Sequence, residues 1–186
     1  MKAKEIFDQQ EAVLSKALPS LIQIHWPTYG SKFTMEDESG NLKYQGLMRR
    51  CYPGGERGFS PLETRLGILP DPKKSSWILR NKLETLVLHG LARTSMEMRN
   101  PPLLWGGAIR TLGGISGITG LPETGDHLTE THLSWYTSQL TEKDYRNLTN
   151  SDHDCVVTAR ELVGMTEDQW HLLSLRIHDI ILAVVM

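Results

Sequence analysis

Trp170, Leu173, Ile177, Ile181 and Val184 recur at helical spacing near the end of the chain and trace one stripe along a helix. A stripe of this length must be covered, so the chain needs a packed core or a partner. Leu172, Leu175 and Ile180 widen it, which predicts burial over much of the helix circumference or docking in an oligomer. For a protein interface on this helix, Ile177, Ile181 and Val184 are the expected contact residues. Thr166 and Gln169 have the spacing of a capping box and set its start. The apolar tract at residues 180–186 is far too short to cross a bilayer, so no transmembrane segment is expected.

Other parts of the chain mix helix and strand. Ile6, Phe7, Val13, Leu14, Ala17 and Leu18 predict an amphipathic helix over residues 4–18, stopped by Pro19. Alternation at 21–26 predicts a strand, and a hairpin is expected from 32–35 and 42–48 around Glu38-Ser39-Gly40-Asn41. Gly, Pro and Arg at 49–61 predict a loop. Ser60-Pro61-Leu62-Glu63 has the form of a helix start, with a short helix ending near Gly67. A longer helix is expected over 77–89, closed by Gly90, then two short strands at 91–98 and 102–105 around a Pro-containing turn. Residues 106–125 hold seven glycines and predict an irregular connection. Beyond it, Asp126, Thr141 and Ser151 stand where helix caps are expected. The expected fold class is α+β: a small mixed region with a basic centre over 1–105, the Gly-rich connection, and a C-terminal helical bundle over 126–186.

The chain of 186 residues, 39% apolar and 23% charged, has the composition of a globular protein able to bury a core without staples. Cys51 and Cys155 do not make a disulfide framework, and the first residues carry lysines without a following apolar region. An intracellular protein is therefore expected, its compartment left open.

The formal net charge of −2 conceals a division. Residues 43–110 carry twelve Lys/Arg against five acids, net +7, while 111–186 carry four against eleven, net −7. A basic centre attracts DNA, RNA or an acidic protein partner, and equally the acidic part of its own chain or of a second copy in a homo-oligomer. Lys73, Lys74, Arg80 and Lys82 would place charge at the start of the 77–89 helix, where free backbone N–H groups also favour phosphate. Arg93 and Arg99 would add contacts from the strands that follow, with Arg80, Lys82 and Arg93 facing solvent opposite the leucines.

The order in 60–105 is short helix, turn, longer helix with a Leu-rich face, Gly-Leu, strand, Pro-containing loop and strand. It resembles the corresponding segment of winged-helix proteins, over about a quarter of the chain. The resemblance implies a recognition helix followed by a wing, in a family where many members bind nucleic acid and others only protein. Ahead of Ser60 no matching first helix is found.

Arg49, Arg50 and Arg57 around Tyr52-Pro53-Gly54-Gly55 make a second candidate anion loop, with Tyr52 available to stack on a base. The competing description is a charged surface loop. Neither glycine-rich stretch has the P-loop or dinucleotide-binding spacing, so no nucleotide cofactor is expected.

Chemistry is sparse. His127 and His132 are five apart, poorly spaced for two imidazoles on one helix to share a metal, and are expected to be solvent-facing and partly buried, respectively. Asp152-His153-Asp154-Cys155 puts an acid, an imidazole and a thiol together, but neighbours on a helix point apart, so Cys155 is expected to be structural. His171 and His178 flank the last apolar stripe as packing or surface residues. Cys51 lies in a basic loop without a base, and Glu36, Asp37 and Glu38 form a solvated acidic turn. No catalytic residues, metal or cofactor are expected. The expected function is a non-enzymatic, nucleic-acid-binding regulatory or replication-related protein, and the alternative is an adaptor, inhibitor or structural assembly protein.

Overall fold

A computed structural model describes residues 3–21, 57–60, 82, 86, 93–95, 107–112, 115–118, 123–154, 156–162 and 164–186. Its helices are α1 (Ala3–Leu21), α2 (Glu123–Tyr136), α3 (Glu142–Thr149), α4 (Val157–Leu162) and α5 (Glu167–Val185). Three strands, β1 (Arg57–Ser60), β2 (Ala108–Arg110) and β3 (Ile115–Ile118), form an antiparallel sheet in the order β1-β3-β2. A bridge from Thr94 to Ile109 extends it on the β2 side. A small mixed helix-and-strand N-terminal region thus packs with a C-terminal helical bundle.

The core follows the apolar stripes. Leu14, Ala17 and Leu21 of α1 meet Trp170, Leu173, Ile177 and Ile181 of α5, with Leu128 and Leu133 of α2 between them. The stripe on α1 runs through Pro19, so the helix ends at Leu21 rather than at the proline. Leu21 is fully buried and Pro19 is exposed, so burial of the last turn offsets the backbone bond that proline cannot make. The Thr166–Gln169 capping box is present at the start of α5, and Thr141 caps α3 by accepting from the Asp144 N–H.

Several local expectations are corrected. The glycine-rich stretch is no irregular connection, because it carries β2 and the central strand β3. Ile109, Ile115 and Ile118 are all fully buried there, and burying them outweighs the low strand propensity of the glycines. Arg57–Ser60 is strand rather than loop, registered against Ile118–Ile115. Asp126 lies inside α2 instead of capping it, and Ser151 is buried ahead of α4 instead of starting it. Within the expected 77–89 helix, Lys82 and Leu86 are helical and buried. The expected elements at 22–48 and 61–67 lie outside the described residues.

α2 breaks the amphipathic pattern. It buries Asp126, His127, Glu130, Thr131, His132 and Ser134 around its circumference, alongside Leu128 and Leu133. Buried polar groups need partners, and these partners come from every neighbouring element. Gln10 of α1 donates to Thr137 just beyond α2, at 3.0 Å. From the sheet, the Ser116 hydroxyl donates to Glu130. The 93–95 segment reaches His127, and Ser174 of α5 reaches His132. α2 is therefore pinned in position and rotation by hydrogen bonds, whereas α1 and α5 are held mainly by apolar burial.

Candidate functional site

Lys82 departs most from its expected place. Its ammonium lies 2.8 Å from Asp126 Oδ2 and 2.9 Å from the Ile118 carbonyl, with both side chains of the ion pair 2% exposed. It neutralises a buried carboxylate and is not on the solvent face of its helix, because an acid buried on α2 needs a buried cation. Arg93 is 54% exposed and 3.6 Å from Asp144 of α3. Lys73, Lys74, Arg80, Arg99, Arg49, Arg50 and Tyr52 lie outside the described residues, and Arg57 is placed through its backbone in β1.

The residues expected to form an interface on the last helix belong to the core. Ile177 and Ile181 are fully buried in the core, and Val184 packs against it half-buried. The outward face instead presents Leu172 and Leu175, 69% and 57% exposed and one turn apart, with Met186 exposed at the helix end.

Beside Leu175 opens a cleft of about 400 Å³. α3 and the residue after it contribute Tyr145, Arg146, Thr149 and Asn150, α5 contributes His171, Ser174, Leu175 and His178, and His132 of α2 closes the floor. The His132 ring is held at both nitrogens, with the Tyr145 hydroxyl 3.0 Å from Nδ1 and the Ser174 hydroxyl 3.0 Å from Nε2. A neutral imidazole accepts from one hydroxyl and donates to the other. Burial, with His178 and His127 adding repulsion, lowers its pKa to about 3, so it stays neutral. Burial also pushes the Tyr145 phenol up to about 12. His178 donates from Nδ1 to Asp179 at 3.1 Å and accepts from the Tyr136 hydroxyl at 2.5 Å.

Ser174 and His132 have the spacing of a nucleophile and its base, but the helical setting of Ser174 and the burial of His132 both act against acyl transfer. Ser174 lies mid-helix, where the neighbouring backbone N–H groups are committed to helical bonds and cannot form an oxyanion hole. An imidazole with a pKa of about 3 is also a weak base near neutral pH. Tyr145, His132 and Ser174 thus form one hydrogen-bond chain.

His127, expected to face solvent, is fully buried. Its Nε2–H donates to the Leu148 carbonyl at 2.8 Å, and Nδ1 accepts from Thr94 at 3.2 Å. Burial lowers its pKa to about 4. Among the described residues no group of three His, Cys, Asp or Glu side chains is arranged to hold a metal. Cys155 and Cys51 lie outside them. Among them, too, no helix is long and apolar enough to cross a membrane.

The cleft residues were not singled out as a group by their sequence pattern, although a signal existed. His171, Ser174, Leu175 and His178 stand at i, i+3, i+4 and i+7, and Tyr145, Arg146, Thr149 and Asn150 repeat the spacing of adjacent turns. No family model matches the chain, and neither the comparison with curated proteins nor that with solved structures finds a match.

Proposed function

We propose that this chain is a non-enzymatic assembly protein that contacts a second copy of itself through the outward face of α5. The observation that carries this is the exposed pair Leu172 and Leu175, on a helix whose opposite side already fills the core. Single exposed leucines are ordinary, but two on adjacent turns beside a cleft make a contiguous apolar surface. A second copy is the fitting occupant because each chain carries both a +7 segment and a −7 segment, so two copies offer each other opposite charges. Sedimentation of the full chain over a concentration and salt series tests it. The expected result is an oligomer that dissociates as salt rises, and that L172Q/L175Q converts to a folded monomer. A wild type that stays monomeric at its highest soluble concentration would overturn it.

A second proposal is nucleic-acid binding by the basic centre, in which a winged-helix arrangement of 60–105 presents Lys73, Lys74, Arg80 and Arg99. The charge division and the exposed Arg93 favour it. Lys82 is excluded from the contact set by its burial. Anisotropy with a duplex of about 30 base pairs across a salt series tests this, because phosphate contacts weaken steeply with salt. Alanine at Lys73, Lys74 and Arg80 is expected to flatten that slope. Absence of binding at low salt, or an unchanged slope in the variant, would remove the proposal.

A further inference from the structure

We propose that the cleft between α3 and α5 binds the phosphate group of a small phosphate monoester. The cleft shares Leu175 with the proposed self-association surface, but the inference rests on neither that surface nor the basic centre.

Its lining carries the argument. Arg146, Asn150 and His171 bring N–H donors to it, while the hydroxyls of Tyr145, Ser174 and Thr149 are bonded to His132 and to helix carbonyls, and among the described residues that line it there is no carboxylate. This is unexpected in a segment of net charge −7. Acids beside the lining are engaged: Glu142 with Arg146 at 2.5 Å, Asp179 with His178 at 3.1 Å, and Glu167, near His171, by a hydrogen bond with Asp152. The Arg146–Glu142 pair is an exposed i, i+4 pair, a weak class of interaction. A phosphate therefore competes readily for the guanidinium, which is suited to a two-point contact with it.

The amide of Asn150 is oriented for the same role. Its Oδ1 accepts from the Asp152 N–H at 3.0 Å, which leaves the NH₂ as its donor end. His171, held at Nε2 by the Ser151 hydroxyl at 3.3 Å, stands across the cleft on α5. Donors thus come from two elements, as a tetrahedral anion requires. Leu175 and the Tyr145 ring supply an apolar wall, and about 400 Å³ accommodates an organic body as well as the phosphate.

The test follows imidazole and backbone amide resonances of the full chain during titration with inorganic phosphate and with phenyl phosphate, at constant ionic strength. Saturable shifts are expected at Asn150, His171 and Ser174, with a dissociation constant on the order of 1 mM for phosphate and tighter binding of phenyl phosphate. R146Q is expected to weaken both about tenfold, and R146K to fall between it and wild type. K143Q alters an exposed residue of α3 outside the lining and is expected to change nothing. Arg146 is exposed, so R146Q retains the fold, and an unchanged circular dichroism spectrum verifies this. Shifts that rise linearly without saturating, or equal losses in R146Q and K143Q, would overturn the proposal. So would a short single-stranded oligonucleotide that displaces phenyl phosphate more strongly than phosphate does, since the site would then read a polymer backbone.

Discussion

Lys82 and Asp126, distant in sequence, form an ion pair at 2.8 Å in the interior, and Gly107 is packed directly against it. The lysine also donates to the Ile118 carbonyl, so one ammonium ties together a helix of the central region, β3 and α2. Removing one partner of such a pair leaves a buried charge and costs about 3–5 kcal/mol, whereas replacing both by apolar groups is often near neutral. K82M is therefore expected to lower unfolding free energy in urea severely, and K82M/D126L to recover much of the loss. A K82M protein as stable as wild type would show that the pair does not hold this interior together.

Gly107 has φ +119°, and a Cβ there would stand 2.8 Å from Asp126 Cβ, from the Ile118 carbonyl oxygen and from Lys82 Nζ. Backbone strain and steric overlap act together, so G107A is expected to cost about 2–4 kcal/mol. Urea denaturation measures it, and a loss below about 1 kcal/mol would mean that the neighbourhood relaxes freely.

The buried histidines make stability depend on pH. His127 and His132 have pKa values lowered from 6.5 to about 4 and about 3, respectively, because burial disfavours the imidazolium. Below 6.5 the unfolded chain binds protons that the folded chain refuses, so this stability is complete above 6.5 and declines as pH falls toward those values. At about pH 5 each histidine is expected to cost about 2 kcal/mol relative to about pH 7.5. Urea midpoints at the two pH values check this, and equal midpoints would contradict the burial of both rings.

Two helix ends use the same backbone device with different residues. Ser138, at φ 61°, ends α2 with bonds from Gln139 N–H to the Ser134 carbonyl and from Ser138 N–H to the Trp135 carbonyl. Gly164, at φ 71°, ends α4 with the equivalent pair to Arg160 and Glu161. Serine is strained in this conformation and glycine is not, so S138G is expected to stabilise by about 0.5–1 kcal/mol and G164A to destabilise by about 1 kcal/mol. Nothing lies within 4 Å of a Cβ at Gly164, so its effect isolates the backbone cost. Thermal melts of the two variants shifting in the same direction would contradict this account.

Element type was legible wherever a local rule decided it. The capping box at Thr166–Gln169, the Thr141 cap, the α1 stripe and the apolar side of α5 are all relations between residues a few positions apart. Burial of polar groups was not legible, because it depends on partners distant in the chain. Nothing near Lys82 in sequence marks it for Asp126, and nothing near His127 marks Thr94 and Leu148 as its partners. The glycine-rich stretch became a central strand only because neighbouring strands satisfied its backbone and helices covered its isoleucines. Periodicity and the Thr141 and Thr166 caps thus determined where α1, α3 and α5 form, whereas the starts of α2 and α4 do not follow from Asp126 and Ser151. Tertiary packing decided which charges are structural, which leucines stay exposed and where the donor-lined cleft opens, because desolvation and pairing are set by groups that meet only after folding.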